Sequence, residues 1–334
     1  MRGPLAWARL SFALHRWEVL ASVAGVGVVA AAMVWFAWQL RMLAGGEASC
    51  PDPAAFVPGC EQFAQRFMQT SEWGTRLLYL SWAAPFGMGL VLGVPLVARE
   101  VEHRTAGMAW TLSRSRAWWL ARRVVFLALV LAALLGVLAV VSEILAAALL
   151  PLQELDRDFT WYGRRGGLIV VRGLAALGIG VTLGAVVGRQ LPGVLGAAFA
   201  SVLVFTAVSL GMDRWNQTDA MAHAYDMECC GVDSERAGAL FVGQRTELVT
   251  GELVTYEELQ RRGLTYDAID GDGGLYASLD DVGQRDKLIG WDRELLVPGS
   301  LYPRVVLRES AVLGALALLL GLAATFVVGR RRPG

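Results

Sequence analysis

Long apolar segments alternate with polar ones along this chain, and the alternation predicts how it folds. Six segments are apolar over the length of a membrane span. They are Trp17–Leu40, Leu77–Ala98, Val124–Leu150, Gly167–Gly188, Pro192–Gly211 and Ser310–Val328. A hydrocarbon core of about 30 Å is crossed by roughly 20 helical residues at about 1.5 Å each. The pattern therefore predicts an all-α polytopic membrane protein with six transmembrane helices.

The first span is predicted to be a retained anchor rather than a cleaved signal peptide. Its apolar core is longer than the roughly 7–15 residues of a signal sequence, and no small-x-small cleavage site follows it directly. Cys50 does not complete a lipoprotein box, because Ala48 and Ser49 precede it.

Composition agrees with a membrane protein. The 334 residues are 55% hydrophobic and 18% charged, whereas soluble chains carry about 25% charged residues. The formal net charge is zero, so no overall basic field attracts nucleic acid, and no nucleic-acid partner is expected.

The distribution of arginine predicts the topology. If the amino terminus is inside, the cytoplasmic segments are 1–16, 99–123, 189–191 and 329–334. These segments hold 13 arginines, and Glu100 and Glu102 are their only acids. Short loops rich in Lys and Arg resist translocation. We therefore expect a multi-pass protein of the cytoplasmic (inner) membrane with both termini cytoplasmic.

The long polar segment 212–309 is predicted to form a small mixed α/β extracytoplasmic domain between helices five and six. Glu247–Val254 has the pattern of a hairpin that turns at Thr250-Gly251. Thr255 with Glu258 forms a capping box that begins a short helix. Residues Trp215–Met227 are predicted to form another helix. The organisation expected is thus a transmembrane region 1–211, the domain 212–309, and a sixth helix with a cytoplasmic tail, 310–334.

All the cysteines fall on the outer side in this topology. The outside is oxidising, so disulfides are expected. Cys229 and Cys230 are adjacent in the chain, and a disulfide between them would be strained. Each is therefore expected to pair with Cys50 or Cys60, although four cysteines allow three pairings. A metal site that includes His223 and Asp226 is the alternative. The four are Cys50, Cys60, Cys229 and Cys230.

Two charges lie more than one helical turn inside predicted spans, Glu143 in the third and Arg172 in the fourth. Unpaired charges at such depths are costly, so we predict that these two pair with each other. Glycines at GxxxG spacing, Gly180–Gly184–Gly188 in span four and Gly89–Gly93 in span two, predict close helix packing within the subunit, with a dimer face as the alternative.

The chain carries no phosphate-binding loop. Its only lysine is Lys287, which is not part of a GK[ST] sequence. The lysine of such a loop contacts the nucleotide phosphates. ATP-driven work by this protein would therefore need a separate ATPase subunit, and the chain is not expected to be an enzyme.

The loop between spans two and three carries the most informative sequence. It reads Gly93-Val-Pro-Leu-Val-Ala-Arg-Glu-Val-Glu-His-Arg-Thr105, followed by Ala109-Trp-Thr-Leu-Ser-Arg-Ser-Arg116. This run resembles permease subunits of the type-two ATP-binding-cassette (ABC) exporter family, most closely those of actinobacteria. The chain departs from the family pattern at Arg104 and Leu112, where glycine and glutamine are usual. The segment Gly184–Pro192 is a second point of likeness.

The resemblance implies that a short coupling helix, within 99–113, docks in a groove of the ATPase. Glu100 and Arg104 are four residues apart, in the favourable order for a helical ion pair. The alternative is a basic loop that only fixes topology. The residues expected to couple are Arg99, Glu100, Glu102, His103, Arg104 and Thr105. The stretch Pro4–Trp17 suits an interfacial amphipathic helix of the kind that family members carry, or an ordinary basic flank of the first span.

The resemblance also implies the assembly. Two permeases, either identical or one with a sister subunit, would enclose the path within the membrane lipid, and two ATPase subunits would bind ATP and Mg. The cargo would be hydrophobic or amphipathic, such as a drug, peptide or lipid, and would cross by alternating access. The main rival is a membrane receptor with an outer sensing domain. A membrane enzyme that uses His223, Asp226 and the cysteines is weaker, because no nucleophile–base spacing stands out.

Overall fold

The structure, a computed structural model, describes residues 12–13, 15–45, 61–103, 115–151, 153–224, 238–248, 250–262, 274–276 and 288–330. These residues are mostly helical, and six candidate membrane spans lie among them, as predicted. The chain divides into two compact units. The first comprises Met1–Gln153, Trp161–Thr206 and Val306–Gly334, and the second comprises Glu154–Thr160 and Ala207–Val305.

The helices extend beyond the apolar segments that predicted them. They are α1 (Arg16–Gly45), α2 (Glu61–Gly93), α3 (Pro95–Glu102), α4 (Arg116–Leu149), α5 (Leu168–Val187), α6 (Gln190–Gln217), α7 (Tyr256–Arg261) and α8 (Tyr302–Arg330). Thus α2 begins at Glu61 rather than Leu77, and α8 at Tyr302 rather than Ser310. Polar residues such as Glu, Gln and Arg favour helix, so a helix does not end where hydrophobicity ends.

The first unit is built around α4, which packs against α1, α2 and α5. One face of α4 is a buried leucine stripe at helical spacing, Leu127, Leu131, Leu135, Leu138 and Leu145. Spacings of three, four and seven residues place such side chains on one face. Ser115 begins the helix, because its Oγ accepts a hydrogen bond from the Trp118 amide at 3.1 Å.

Glycine lets α2 and α5 approach each other closely, and the GxxxG spacing had predicted close packing for both helices. A Cβ added at Gly89 would lie 2.7 Å from the Ala176 Cβ and 2.8 Å from the Gly173 carbonyl oxygen. A Cβ at Gly184 would lie 2.5 Å from the Val94 carbonyl oxygen. Both rows of glycines therefore make close helix contacts within the subunit.

Pro95 marks the boundary between α2 and α3. Val94, which stands between them, keeps helical angles of φ −64° and ψ −48° and still donates its amide to the Leu90 carbonyl at 3.1 Å, and Pro95 then occupies the first position of α3. Proline has no backbone N–H to donate, and the first turn of a helix needs none from it. A short separate helix therefore follows directly from the end of a membrane-spanning one.

The second unit contains an antiparallel sheet between the fifth and sixth spanning helices. Its strands are β1 (Met221–Ala224), β2 (Leu240–Leu248), β3 (Leu253–Val254), β4 (Gly274–Tyr276) and β5 (Leu288–Val297). Their order is β1-β5-β2-β3, and β4 also pairs with β5. The predicted β-containing segment is confirmed, while its position on the outer side of the membrane stays a prediction.

Two local sequence patterns in this unit, a hairpin turn and a helix cap, predicted the structure correctly. The hairpin β2–β3 turns as predicted, with Gly251 at φ 81° donating its amide to the Leu248 carbonyl at 2.8 Å. Thr255 caps α7, since its Oγ1 accepts a hydrogen bond from the Glu258 amide at 3.3 Å.

The prediction of a helix over Trp215–Met227 is wrong. Trp215 belongs to the last turn of α6, which ends at Gln217, and Met221–Ala224 form β1 instead. The reason is that β1 pairs with β5, with Ala222 opposite Leu295. This strand pairing overrides the weak helical preference of the segment.

A short segment far away in sequence completes the second unit. The Phe159 amide donates to the Gly238 carbonyl at 2.7 Å, and its ring meets the Tyr302 ring edge-on at 5.2 Å. Residues 154–160 thus belong to the same unit as the sheet, a placement that no sequence pattern predicted.

Candidate coupling site

The helix α3 carries the residues predicted to couple, and it has a buried face and a polar face. Leu96, Val97 and Ala98 are fully buried and pack α3 against the bundle. Arg99, Glu100 and Glu102 lie in its last turn, with His103 at its C-cap. The helix begins at Pro95 rather than at Arg99. Arg104 and Thr105 lie outside the described residues.

The Glu100 carboxylate is directed into the protein. It forms an ion pair with Arg123 of α4, and the two side chains are only 16% and 6% exposed. The Arg123 guanidinium also stacks on the Trp119 ring, 4.4 Å from its centroid. This pair therefore joins α3 to α4 in a partly buried setting, where an ion pair is screened much less than at the surface.

Glu102 and Arg99 join α3 to two other helices. The Glu102 Oε2 accepts a hydrogen bond of 2.9 Å from the backbone amide of Gln190, the first residue of α6. The Arg99 Nη1 lies 3.3 Å from the Glu18 Oε1 in the first turn of α1. A carboxylate at a helix N-terminus is stabilised by the helix dipole. One short helix is thus bonded to three spanning helices.

The predicted pairing of Glu143 with Arg172 is wrong, because each has a different partner. Glu143 bonds Arg165 at 2.8 Å. Arg172 bonds Glu309 of α8 at 2.6 Å and also donates to the Gly163 carbonyl at 2.6 Å. Both partners stand just outside the apolar segments, at 165 and 309, so a search confined to the spans could not find them. The expectation that charges in the spans are paired is met.

Other predicted sites fall largely outside the described residues. All four cysteines and Asp226 do so. His223 lies in β1, where it pairs with Glu294 of β5. Within the described ranges, His, Cys, Asp and Glu side chains form no cluster that could hold a metal ion.

Comparison with known proteins matches this chain to one family model, "ABC-2 membrane transporter related", over residues 23–215. That region runs from α1 to the last turn of α6 and includes α3. No curated protein and no solved structure matches the chain. The match covers more than half of the 334 residues, and the chain therefore belongs to the ABC-2 membrane transporter related family, as the membrane subunit of an ABC-type transporter that works with a separate ATPase subunit.

Proposed function

We propose that the chain is the permease subunit of an ATP-driven exporter that moves hydrophobic or amphipathic molecules, such as drugs, peptides or lipids, by alternating access. Export and cargo class are supported by the resemblance of the 93–116 loop to exporter permeases. The observation that carries the proposal is the bonding of α3 to α1, α4 and α6, since an ATPase that moves α3 would move all of them.

In this proposal the two faces of α3 have different tasks. Arg99, whose side chain is 50% exposed, and the exposed His103 contact the ATPase, together with the residues that follow. Glu100 and Glu102 transmit the movement to α4 and α6 through their bonds to Arg123 and Gln190. Because Leu96 and Val97 are fully buried, α3 cannot shift without its neighbours, and the response is a rigid-body movement.

The remaining features of the assembly follow from the same proposal. A second copy or a sister permease completes the path, and ATP with Mg binds to the ATPase subunits. Both termini and α3 lie on the cytoplasmic side, and the 212–309 domain lies outside, where Cys229 and Cys230 can form disulfides with Cys50 and Cys60.

Replacing Glu102 by Ala tests the transmission. The complex is expected to keep its ATP hydrolysis but to lose transport about tenfold, because a hydrogen bond to a charged group is worth about 1.5–3 kcal/mol. The complex is purified from the native host, and uptake of an amphipathic dye, ethidium, is measured in inverted vesicles beside ATP hydrolysis. Glu72→Ala on α2 is the control, since Glu72 is 70% exposed and pairs only loosely with Arg76 at 3.9 Å.

Two results would contradict the proposal. One is a purified complex that contains no protein with a GK[ST] phosphate loop; a kinase in its place would favour the receptor alternative. The other is dye uptake in Glu102→Ala that equals uptake in the Glu72→Ala control.

A further inference from the structure

A cavity of about 400 Å³ opens where the start of α1 meets α3 and α4. Its polar lining side chains are His15, Arg16, Arg99, Glu100, His103 and Arg123. The volume is that of a small-molecule site. The proposed transport cycle uses several of the lining side chains but gives the cavity itself no ligand.

Positive charge exceeds negative charge around the cavity. Three guanidinium groups face one carboxylate, Glu100, which is paired with Arg123. Arg99 is paired with Glu18. Arg16 lies 5.2 Å from the centroid of the Trp17 ring, and within the described ranges no ion pair joins it to a carboxylate. One guanidinium thus stays uncompensated at the cavity wall.

A buried imidazole at the cavity provides a hydrogen-bond donor for a ligand. The His15 side chain is 4% exposed, and neither ring nitrogen has a hydrogen-bond partner among the described residues. Leaving such a group unsatisfied costs about 1–3 kcal/mol. An anion in the cavity would accept a hydrogen bond from the imidazole N–H and lower that cost.

We propose that this cavity binds the phosphate group of an anion, with the headgroup of an anionic phospholipid as the expected source. Tryptophan concentrates at the headgroup level of a bilayer, and Trp17 beside the cavity is 70% exposed. The exposed apolar side chains of α1 begin just beyond it, at Leu20 and Val23. Basic pockets between spanning helices bind such headgroups. Arg99 and His103 line both this site and the proposed ATPase contact, but binding of the anion itself requires no ATPase.

The imidazole makes the site sensitive to pH. Burial lowers the pKa of His15 below its ordinary 6.5; Glu18 opposes this shift, whereas Arg123 and Arg99 reinforce it. The other titratable or charged groups at the cavity are Arg16 of α1, Glu100 and His103 at α3. A bound anion stabilises the protonated ring, so affinity for the anion is expected to rise as the pH falls from about 7.5 to 5.5.

The same lowered pKa sets the pH dependence of stability without ligand. Well above pH 6.5 the imidazole is neutral in both the folded and the unfolded chain, so its contribution to the free energy of unfolding is constant there. Below pH 6.5 the unfolded chain takes up the proton first, and the folded chain is destabilised. The apparent Tm in neutral detergent should therefore fall from about pH 7 to 5.5, and by less in His15→Leu.

Native mass spectrometry of the full-length chain in detergent tests the proposal, with phosphatidylglycerol, phosphatidylcholine and inorganic phosphate as probes. We expect phosphatidylglycerol to bind about tenfold more tightly than phosphatidylcholine, and Arg16→Gln and His15→Leu each to lower its affinity about tenfold. The matched control is Arg122→Gln, because Arg122 of α4 stacks on Trp118 and does not line the cavity.

The outcomes separate the sources of the phosphate. Loss of phosphatidylglycerol binding in Arg16→Gln but not in Arg122→Gln supports a lipid site. Binding of inorganic phosphate that depends on Arg16, with no lipid preference, supports the same cavity with a soluble ligand. Equal affinity of the wild type, Arg16→Gln and Arg122→Gln for every probe overturns the proposal, as does an equal loss in both variants. If His15→Leu does not fold, the exposed Arg16 still provides the test.

Discussion

Replacing Glu309 by Gln is expected to lower the free energy of unfolding by about 3–5 kcal/mol, the usual cost of breaking a buried ion pair by removing one partner. The Arg172 and Glu309 side chains are 13% and 7% exposed. The Arg172 Nη2 and Nε lie 2.6 and 3.0 Å from one Glu309 oxygen, and the Tyr162 hydroxyl donates to the other at 2.5 Å. The variant leaves the Arg172 charge buried without its counter-charge.

Thermal unfolding in detergent, followed by size-exclusion chromatography after heating, measures this effect. Glu72→Gln is the matched control, because it removes a carboxylate from an exposed ion pair, which is worth about 0–1 kcal/mol. The double variant Arg172→Met/Glu309→Leu should recover most of the loss, since apolar residues often replace a buried pair without cost. If Glu309→Gln unfolds at the temperature of Glu72→Gln, the pair does not stabilise the bundle.

Replacing Gly89 by Val is expected to cost about 3 kcal/mol, the upper part of the usual range for overpacking. A Cβ at this position would meet the Gly173 carbonyl oxygen and the Leu177 amide nitrogen, both at 2.8 Å. These are backbone atoms of a helix and cannot rotate away. The only relief is a separation of α2 from α5, which would also loosen the junction between α2 and α3.

The chain offers a close control for this prediction. Gly87 lies on the same helix, and a Cβ built there would meet no atom within 4 Å. Gly87→Val should therefore leave the unfolding temperature near that of the wild type, while Gly89→Val lowers it strongly. Equal stability of the two variants would mean that the close α2–α5 approach is not needed.

The sequence was sufficient for the spans and for close packing at the glycines of α2 and α5, although not for the contact of these two helices with each other. Both depend on local composition and on short spacings: a membrane span needs about 20 apolar residues, and GxxxG places small residues on one helix face. The hairpin at Gly251 and the cap at Thr255 were predictable for the same reason, since their signals lie within a few residues.

What the sequence could not provide was the choice among distant partners. Arg172 is 137 residues from Glu309, and nothing local distinguishes Glu309 from other acids near the spans. Glu102 bonds a backbone amide, which every residue but proline carries, so no side-chain pattern marks Gln190. The predicted coupling residues were found through a family likeness, and their bonds to α1, α4 and α6 depend on how the helices pack.

The two residues between α5 and α6, Gly188 and Arg189, restrict how these helices can move. Gly188 takes a left-handed φ of 67° and reverses the chain with almost no slack. Two residues reach at most about 7 Å even when fully extended, so neither helix can slide far along its own axis without carrying the other. The Glu102 carboxylate bonds the Gln190 amide directly after this short connection, so a pull on Gln190 is passed to α5 as well.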